Sequence, residues 1–186
     1  MDSPKPHRHW RRISLRALFG ASTVAIIILA TVCNRAHYQR KTVDQLIDRG
    51  ARVYASRKTT SQFTKADFWR HFIYNVSALE LRPTEKDDAD SQILLASSLR
   101  GIRTLAVHPG RLGNERRLDA DANGGMTDDG AHLIATRFSS LDEFHTYAAL
   151  CSDKGIQEIQ DSLVNADRIQ IHLRGNPMDG LFVRSN

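Results

Sequence analysis

The sequence predicts an α/β protein in which one transmembrane helix precedes a short solenoid of helix–strand units with parallel strands. Three observations carry this reading. Residues 17–34 hold no formal charge, and beyond them five apolar triplets recur, mostly at spacings of 25 or 26 residues. The segment 126–130 is then echoed by 151–155 at a shift of 25.

The 186 residues, 41% hydrophobic and 25% charged, suit one folded domain plus an anchor. The net charge of +5 is unevenly placed. Lys5, Arg8, Arg11, Arg12, Arg16, Arg35, Arg40 and Lys41 all precede residue 42 with only Asp2 against them, so that segment carries +7 and the remainder −2. A nucleic-acid-binding surface needs Lys and Arg clustered on the folded domain to neutralise phosphates. Here the excess flanks an apolar run, which points to a lipid bilayer and away from nucleic acid.

The anchor is the 18-residue run 17–34, most apolar at Ala25-Ile26-Ile27-Ile28-Leu29-Ala30. As a helix it spans about 27 Å, slightly short of an average hydrocarbon core. Leu15, a snorkelling Arg16 and Trp10 at headgroup level make up the difference. A cleaved signal peptide shares the basic start and apolar middle, but Ala30-Thr31-Val32 fits an A-x-A-like cleavage site poorly. Cys33 follows Val32, where a lipoprotein site wants a small residue, so an uncleaved signal anchor is expected. The basic tail, residues 1–16, is expected in the cytoplasm and the C-terminal domain on the extracytoplasmic side, although Arg35, Arg40 and Lys41 pull the other way. Residues 35–50 read as a post-membrane helix or linker, and 51–186 as the repeat domain.

The triplets follow an L-x-x-L-x-L pattern: Gly50/Val53/Ala55, Val76/Leu79/Leu81, Ile102/Leu105/Val107, Leu141/Phe144/Thr146 and Ala166/Ile169/Ile171. Another apolar residue stands three positions upstream of each, at Ile47, Ile73, Leu99, Phe138 and Leu163. Central residues are 26, 26, 39 and 25 apart, so the third gap holds an inserted loop at 111–125. In the last two units Met126-Thr127-Asp128-Asp129-Gly130 aligns with Cys151-Ser152-Asp153-Lys154-Gly155. Thr127 and Ser152 are expected helix N-caps, with Asp128 and Asp153 in a first turn where the helix dipole favours a carboxylate. Each unit therefore reads as a helix and then a short strand. Neither can bury an apolar face alone, whereas stacking joins the stripes into one core.

This pattern resembles the leucine-rich repeat, in particular the variety of roughly 26 residues. Leu79-Glu80-Leu81-Arg82-Pro83-Thr84 matches its strand and following Thr, and Asp153 and Gly155 match its helix start. The resemblance spans residues 42–175, departing at undersized Gly50 and Ala166 and at polar Thr146. The basic tail with Ser14-Leu15-Arg16 leading into a single helix also resembles membrane-anchored bacterial members. The resemblance implies a parallel sheet face that recognises a protein or peptide.

Residues alternating with the buried strand positions should line up in columns on that face. One column is Arg82, His108, Tyr147 and His172. Beside it stand Tyr54, Glu80, Ala106, His145 and Gln170, and then Arg52, Thr104, Glu143 and Arg168. Aromatic, His and Arg side chains suit recognition, so Tyr54, Arg82, His108, His145, Tyr147, Arg168, Gln170 and His172 are the expected partner-binding residues. The bland alternative is a solvated sheet face with no partner.

Chemistry finds less support. His108, His145 and His172 invite a zinc or hydrolase hypothesis, but no HExxH, G-x-S-x-G or P-loop accompanies them. Asp119-x-Asp121-x-Asn123-Gly124 opens like an EF-hand calcium loop, yet position twelve is Gly130 where that loop needs Glu. Cys151 aligns with Met126 and reads as a structural thiol. Asn75-Val76-Ser77 matches a glycosylation acceptor but overlaps a core strand. Phe182 and Val183 read as core left exposed at the end of the stack, by fraying or by pairing with another chain. The expected function is a membrane-tethered, non-enzymatic interaction module without a cofactor. The alternative is a calcium- or metal-binding domain using Asp119, Asp121 and Asn123.

Overall fold

A computed structural model of the chain describes residues 15–55, 62–65, 74–83, 88–108, 125–173 and 181–185. Two compact units divide it, residues 1–35 and 36–186.

The first unit is carried by α1, Leu15–Asp48, which is long and apolar enough to cross a membrane. Leu15, Leu18, Phe19, Val24, Ile26, Ile27, Ile28, Leu29 and Val32 are all exposed. Apolar residues on every side of a helix need a non-aqueous surrounding, so this segment fits a membrane anchor. Its hydroxyls are satisfied within the helix: Ser22 and Thr23 donate to the Phe19 carbonyl and Thr31 to that of Ile27.

In the second unit the same helix changes character. Ala36, Val43 and Leu46 are buried, Gln39 Nε2 donates to the Tyr74 carbonyl at 2.9 Å, and the Thr42 and Ser98 hydroxyls share a hydrogen bond. The expected post-membrane helix is thus the end of α1, continuous with the anchor, and its apolar stripe belongs to the domain core. Gly50, at φ 88°, closes the helix in a conformation that costs glycine little, with Ala51 N donating back to Leu46 O.

The domain has β1 (Arg52–Tyr54), β2 (Ala78–Leu81), α2 (Ala89–Ala96), β3 (Thr104–Val107), α3 (Asp128–Arg137), β4 (Glu143–Ala149), α4 (Asp153–Ser162), β5 (Arg168–Leu173) and β6 (Leu181–Ser185). Among the described residues they build an α/β fold with one six-stranded sheet in sequence order. Strands β2 to β5 are parallel and aligned through Leu79, Leu105, Phe144 and Ile169. All five triplet centres, Val53 included, lie in one buried core. Helices α2, α3 and α4 add Ile93, Ile134, Ile156 and Ile159 to it, so they cover one side of the sheet.

Two strands depart from the expected parallel array. β1 runs antiparallel to β2, setting Arg52 opposite Glu80 and Tyr54 opposite Ala78, the reverse of the expected columns. β6 returns antiparallel along β5. Phe182 and Val183 therefore pair, through their backbone, with this chain's own β5, which satisfies an edge that would otherwise be open.

The helix starts follow their sequences. Thr127 Oγ1 accepts from Asp129 N and Ser152 Oγ from Gly155 N, as expected of N-caps. Asp88 caps α2 by accepting from Ser91 N at 2.6 Å, and hydrogen bonding from Ser91 holds its carboxyl below the usual range. Successive helices are also tied to one another. Asp90 accepts the Thr127 amide at 3.1 Å and its hydroxyl, and Asp128 accepts the Ser152 amide at 2.7 Å.

Candidate functional site

Because strand side chains alternate, burying Leu79, Leu81, Leu105, Val107, Phe144, Thr146, Ile169 and Ile171 turns the intervening residues to the other face. That face is only partly covered: Tyr54, Glu80, Arg82, His108, His145, Tyr147, Gln170 and His172 are half-buried and Arg168 is exposed.

The parallel register brings Ala78, Thr104, Glu143 and Arg168 into one row and Glu80, Ala106, His145 and Gln170 into the next. The row beyond begins with Arg82 and His108, just past β2 and β3. His108 N donates to Leu81 O, extending the ladder to this level. β4 carries one extra residue here, since Thr146 pairs with Ile171 but Ala149 with Leu173. Tyr147 sits at this bulge, a feature that re-aims side chains.

In that row the rings of His108, Tyr147 and His172 stack. Centroids are 5.0 Å apart between His108 and Tyr147 and 4.9 Å between Tyr147 and His172, with interplanar angles of 14° and 15°. The spacing matches that of neighbouring strands, so the sheet sets the ladder's pitch. With Tyr147 lying between them, His108 and His172 cannot share a metal ion. Among the described residues no three His, Cys, Asp or Glu side chains are grouped to hold one. Asp119, Asp121 and Asn123, the expected calcium ligands, lie outside the described residues.

Polar contacts fix the neighbouring side chains. Arg82 Nη2 donates to Glu80 Oε2 at 3.0 Å, and Tyr54 Oη to Glu80 Oε1 at 3.3 Å. In the amide orientation that satisfies both ends, Gln170 donates to His145 Nδ1 at 2.9 Å and accepts from Arg168 Nη2 at 2.6 Å and Nε at 3.0 Å. Neutral His145 thereby carries its proton on Nε2. Thr104 Oγ1 reaches Glu143 Oε2 at 3.5 Å.

His108 titrates below the ordinary histidine range. Burial is the main cause, Arg82 adds repulsion, Glu80 opposes the effect, and Arg52 and His145 push it further down. The ladder is therefore held neutral at neutral pH on the His108 side.

The structure thus assembles Arg82, His108, Tyr147 and His172 in one row and His145 with Gln170 in the next, with Arg168 linked to them through Gln170. Tyr54 joins through Glu80, despite the reversed β1. Glu80 itself stands outside the expected binding set although it holds both Arg82 and Tyr54. Its place in a column between two Leu of the second triplet was the available signal. Cys151 lies on the helix side, donating to the carbonyls of Met126 and Thr127, with burial pushing its thiol up to about 12. Such a thiol is no nucleophile.

Comparison with family models, with curated proteins and with solved structures finds no match.

Proposed function

We propose that this protein is a membrane-tethered, non-enzymatic interaction module, built as a short solenoid of the leucine-rich-repeat kind, that binds a protein or peptide on the sheet face opposite its helices. The carrying observation is the in-register His108–Tyr147–His172 ladder, flanked by Arg82. Aromatic and Arg side chains supply large contact area with polar edges and are the residue types that dominate binding energy at interfaces. The aspartate ties between helices and the 25- to 26-residue spacing of Leu79–Leu105 and Phe144–Ile169 support the repeat reading. With the basic tail in the cytoplasm, the domain works outside it, and its search for a partner is confined to the membrane surface.

The test is site-specific photo-crosslinking in native membranes. A photoreactive residue in place of Tyr147 or His145 is expected to capture a discrete partner, whereas one at Gln157 or Asp161 on α4 is not. Equal capture from both faces, or none from the sheet face, overturns the reading.

A further inference from the structure

The chemistry of the partner follows from what the ladder row has left to give. Its rings meet face to face, so both faces of Tyr147 and the inward faces of the two histidines are taken up by one another, and the polar ring edges lie along the row for a ligand. Arg82 commits Nη2 to Glu80, and its Nε is buried without a partner inside the protein. All four groups can donate hydrogen bonds, one is a permanent cation, and two become cations on protonation. Among the described residues Glu80 is the acid that acts on His108, and it is already engaged by Arg82 and Tyr54. The row is therefore rich in donors, and with Glu80 already paired to Arg82 it runs short of counter-charge once its histidines are protonated.

Resting on the interaction-module reading, we infer that this row captures an acidic, extended segment of a protein partner, its carboxylates laid along Arg82, His108, Tyr147 and His172, and that protonation of the two histidines strengthens the capture.

The groups around the ladder set the balance. His108 faces Glu80 from β2 and Arg82 just past it, Arg52 from β1, and His145 and Tyr147 from β4; His172 faces Tyr147, with Gln170 and Arg168 on its own strand. Burial and three cationic or titratable neighbours oppose a charge on His108 when the face is empty. A bound carboxylate supplies the missing counter-charge, so binding and protonation each favour the other by the same factor. An imidazolium against the Tyr147 ring is a favourable cation–π pair, so the ladder can gain charge without coming apart. A planar headgroup layer meets a protein's outermost side chains, whereas these four groups are half-buried or flanked by others. A chain that lies into the face reaches them better.

The experiment titrates a fluorescent octa-glutamate peptide, with octa-lysine as control, onto the full chain in zwitterionic nanodiscs at about pH 5.5 and about pH 7.5. Octa-glutamate is expected to bind about tenfold tighter at the lower pH, within the usual range of linked equilibria. The double variant His108→Gln/His172→Gln should lose most of that difference while its circular dichroism is unchanged. His172→Arg, with a permanent charge, should bind at the higher pH nearly as well as the wild type does at the lower. Binding independent of pH, pH dependence retained in the double variant, or no preference over octa-lysine overturns the inference. Preference for phosphatidylglycerol vesicles over the peptide also overturns it and assigns the row to lipid. Should these fail while crosslinking from Tyr147 succeeds, the acidic segment falls and the interaction module stands.

Discussion

Gly130 packs against Asp90 so closely that a methyl group at its Cα would collide with Oδ1 of that aspartate, the atom that accepts the Thr127 amide. One unit later Gly155 stands in the same relation to Asp128, whose Oδ1 accepts the Ser152 amide. The glycine of each helix start thus makes room for the carboxylate that ties it to the preceding helix. In an ordinary exposed helix, Gly→Ala gains about 1 kcal/mol of propensity. Here the carboxylate is held by its hydrogen bonds and cannot swing away freely, so Gly130→Ala should destabilise by about 1–3 kcal/mol. Chemical denaturation of the detergent-solubilised chain reads the sign directly. A stabilised variant would show that propensity outweighs the tie.

Thr146 occupies the last position of the fourth triplet and is fully buried, with Oγ1 lacking any hydrogen-bond partner. An unpaired buried hydroxyl carries an uncompensated desolvation cost of about 1–3 kcal/mol. Thr146→Val keeps the shape and removes the hydroxyl, so it should raise stability by roughly 1 kcal/mol. Its effect on the thermal midpoint is the measurement, and a lowered midpoint would mean that the hydroxyl is in fact satisfied.

The same position shows how far the sequence could be read. Four triplets fall on parallel strands in the expected register because a buried stripe repeating at near-constant spacing leaves a stacked strand few alternatives. Thr146 keeps its place through the pattern around it, despite its own polarity. The direction of β1 was not readable, since a three-residue strand with one buried side chain serves either orientation. β6 was missed as a strand because Leu181, Phe182 and Val183 lie outside the repeat, where no recurring pattern marks a strand. The columns of the sheet face were readable from alternation. That three rings stack was not, because it depends on side-chain torsions and on the bulge after Thr146.

The two cysteines should differ sharply in reactivity. Cys33 is exposed on α1, while the half-buried Cys151 thiol is pushed up to about 12 by burial and by Asp128 and Asp90. Thiolate is the reactive form, so maleimide near neutral pH should modify Cys33 of the detergent-solubilised native chain and spare Cys151. In denaturant both should react. Peptide mass mapping gives the answer, and rapid native labelling of Cys151 would contradict its burial.

His108 should make the domain sensitive to acid. Its folded pKa lies below the ordinary value of about 6.5, so the unfolded chain takes up that proton more readily. The stability it contributes is full above the unfolded value and is lost as pH falls from there through the folded value. His108→Gln should therefore flatten the decline in stability on the acid side of about pH 6.5 while leaving the alkaline side unchanged. Denaturation midpoints across that interval compare the two proteins, and parallel curves would exclude His108 as the cause.

If the ladder is a physical unit, its energies should couple between touching rings and not across the row. His108 and Tyr147 are in contact, as are Tyr147 and His172, whereas His108 and His172 meet only through Tyr147. Aromatic pairs contribute about 0.5–1.5 kcal/mol beyond buried area, so double-mutant cycles to Ala should give coupling of that order for both touching pairs. The His108/His172 cycle should fall within about 0.5 kcal/mol of additivity while Tyr147 is present. Because His108 directly follows β3 while Tyr147 and His172 stand on β4 and β5, such a pattern would also establish these three strands as neighbours in solution. Additivity in all three cycles would mean that the rings merely stand side by side.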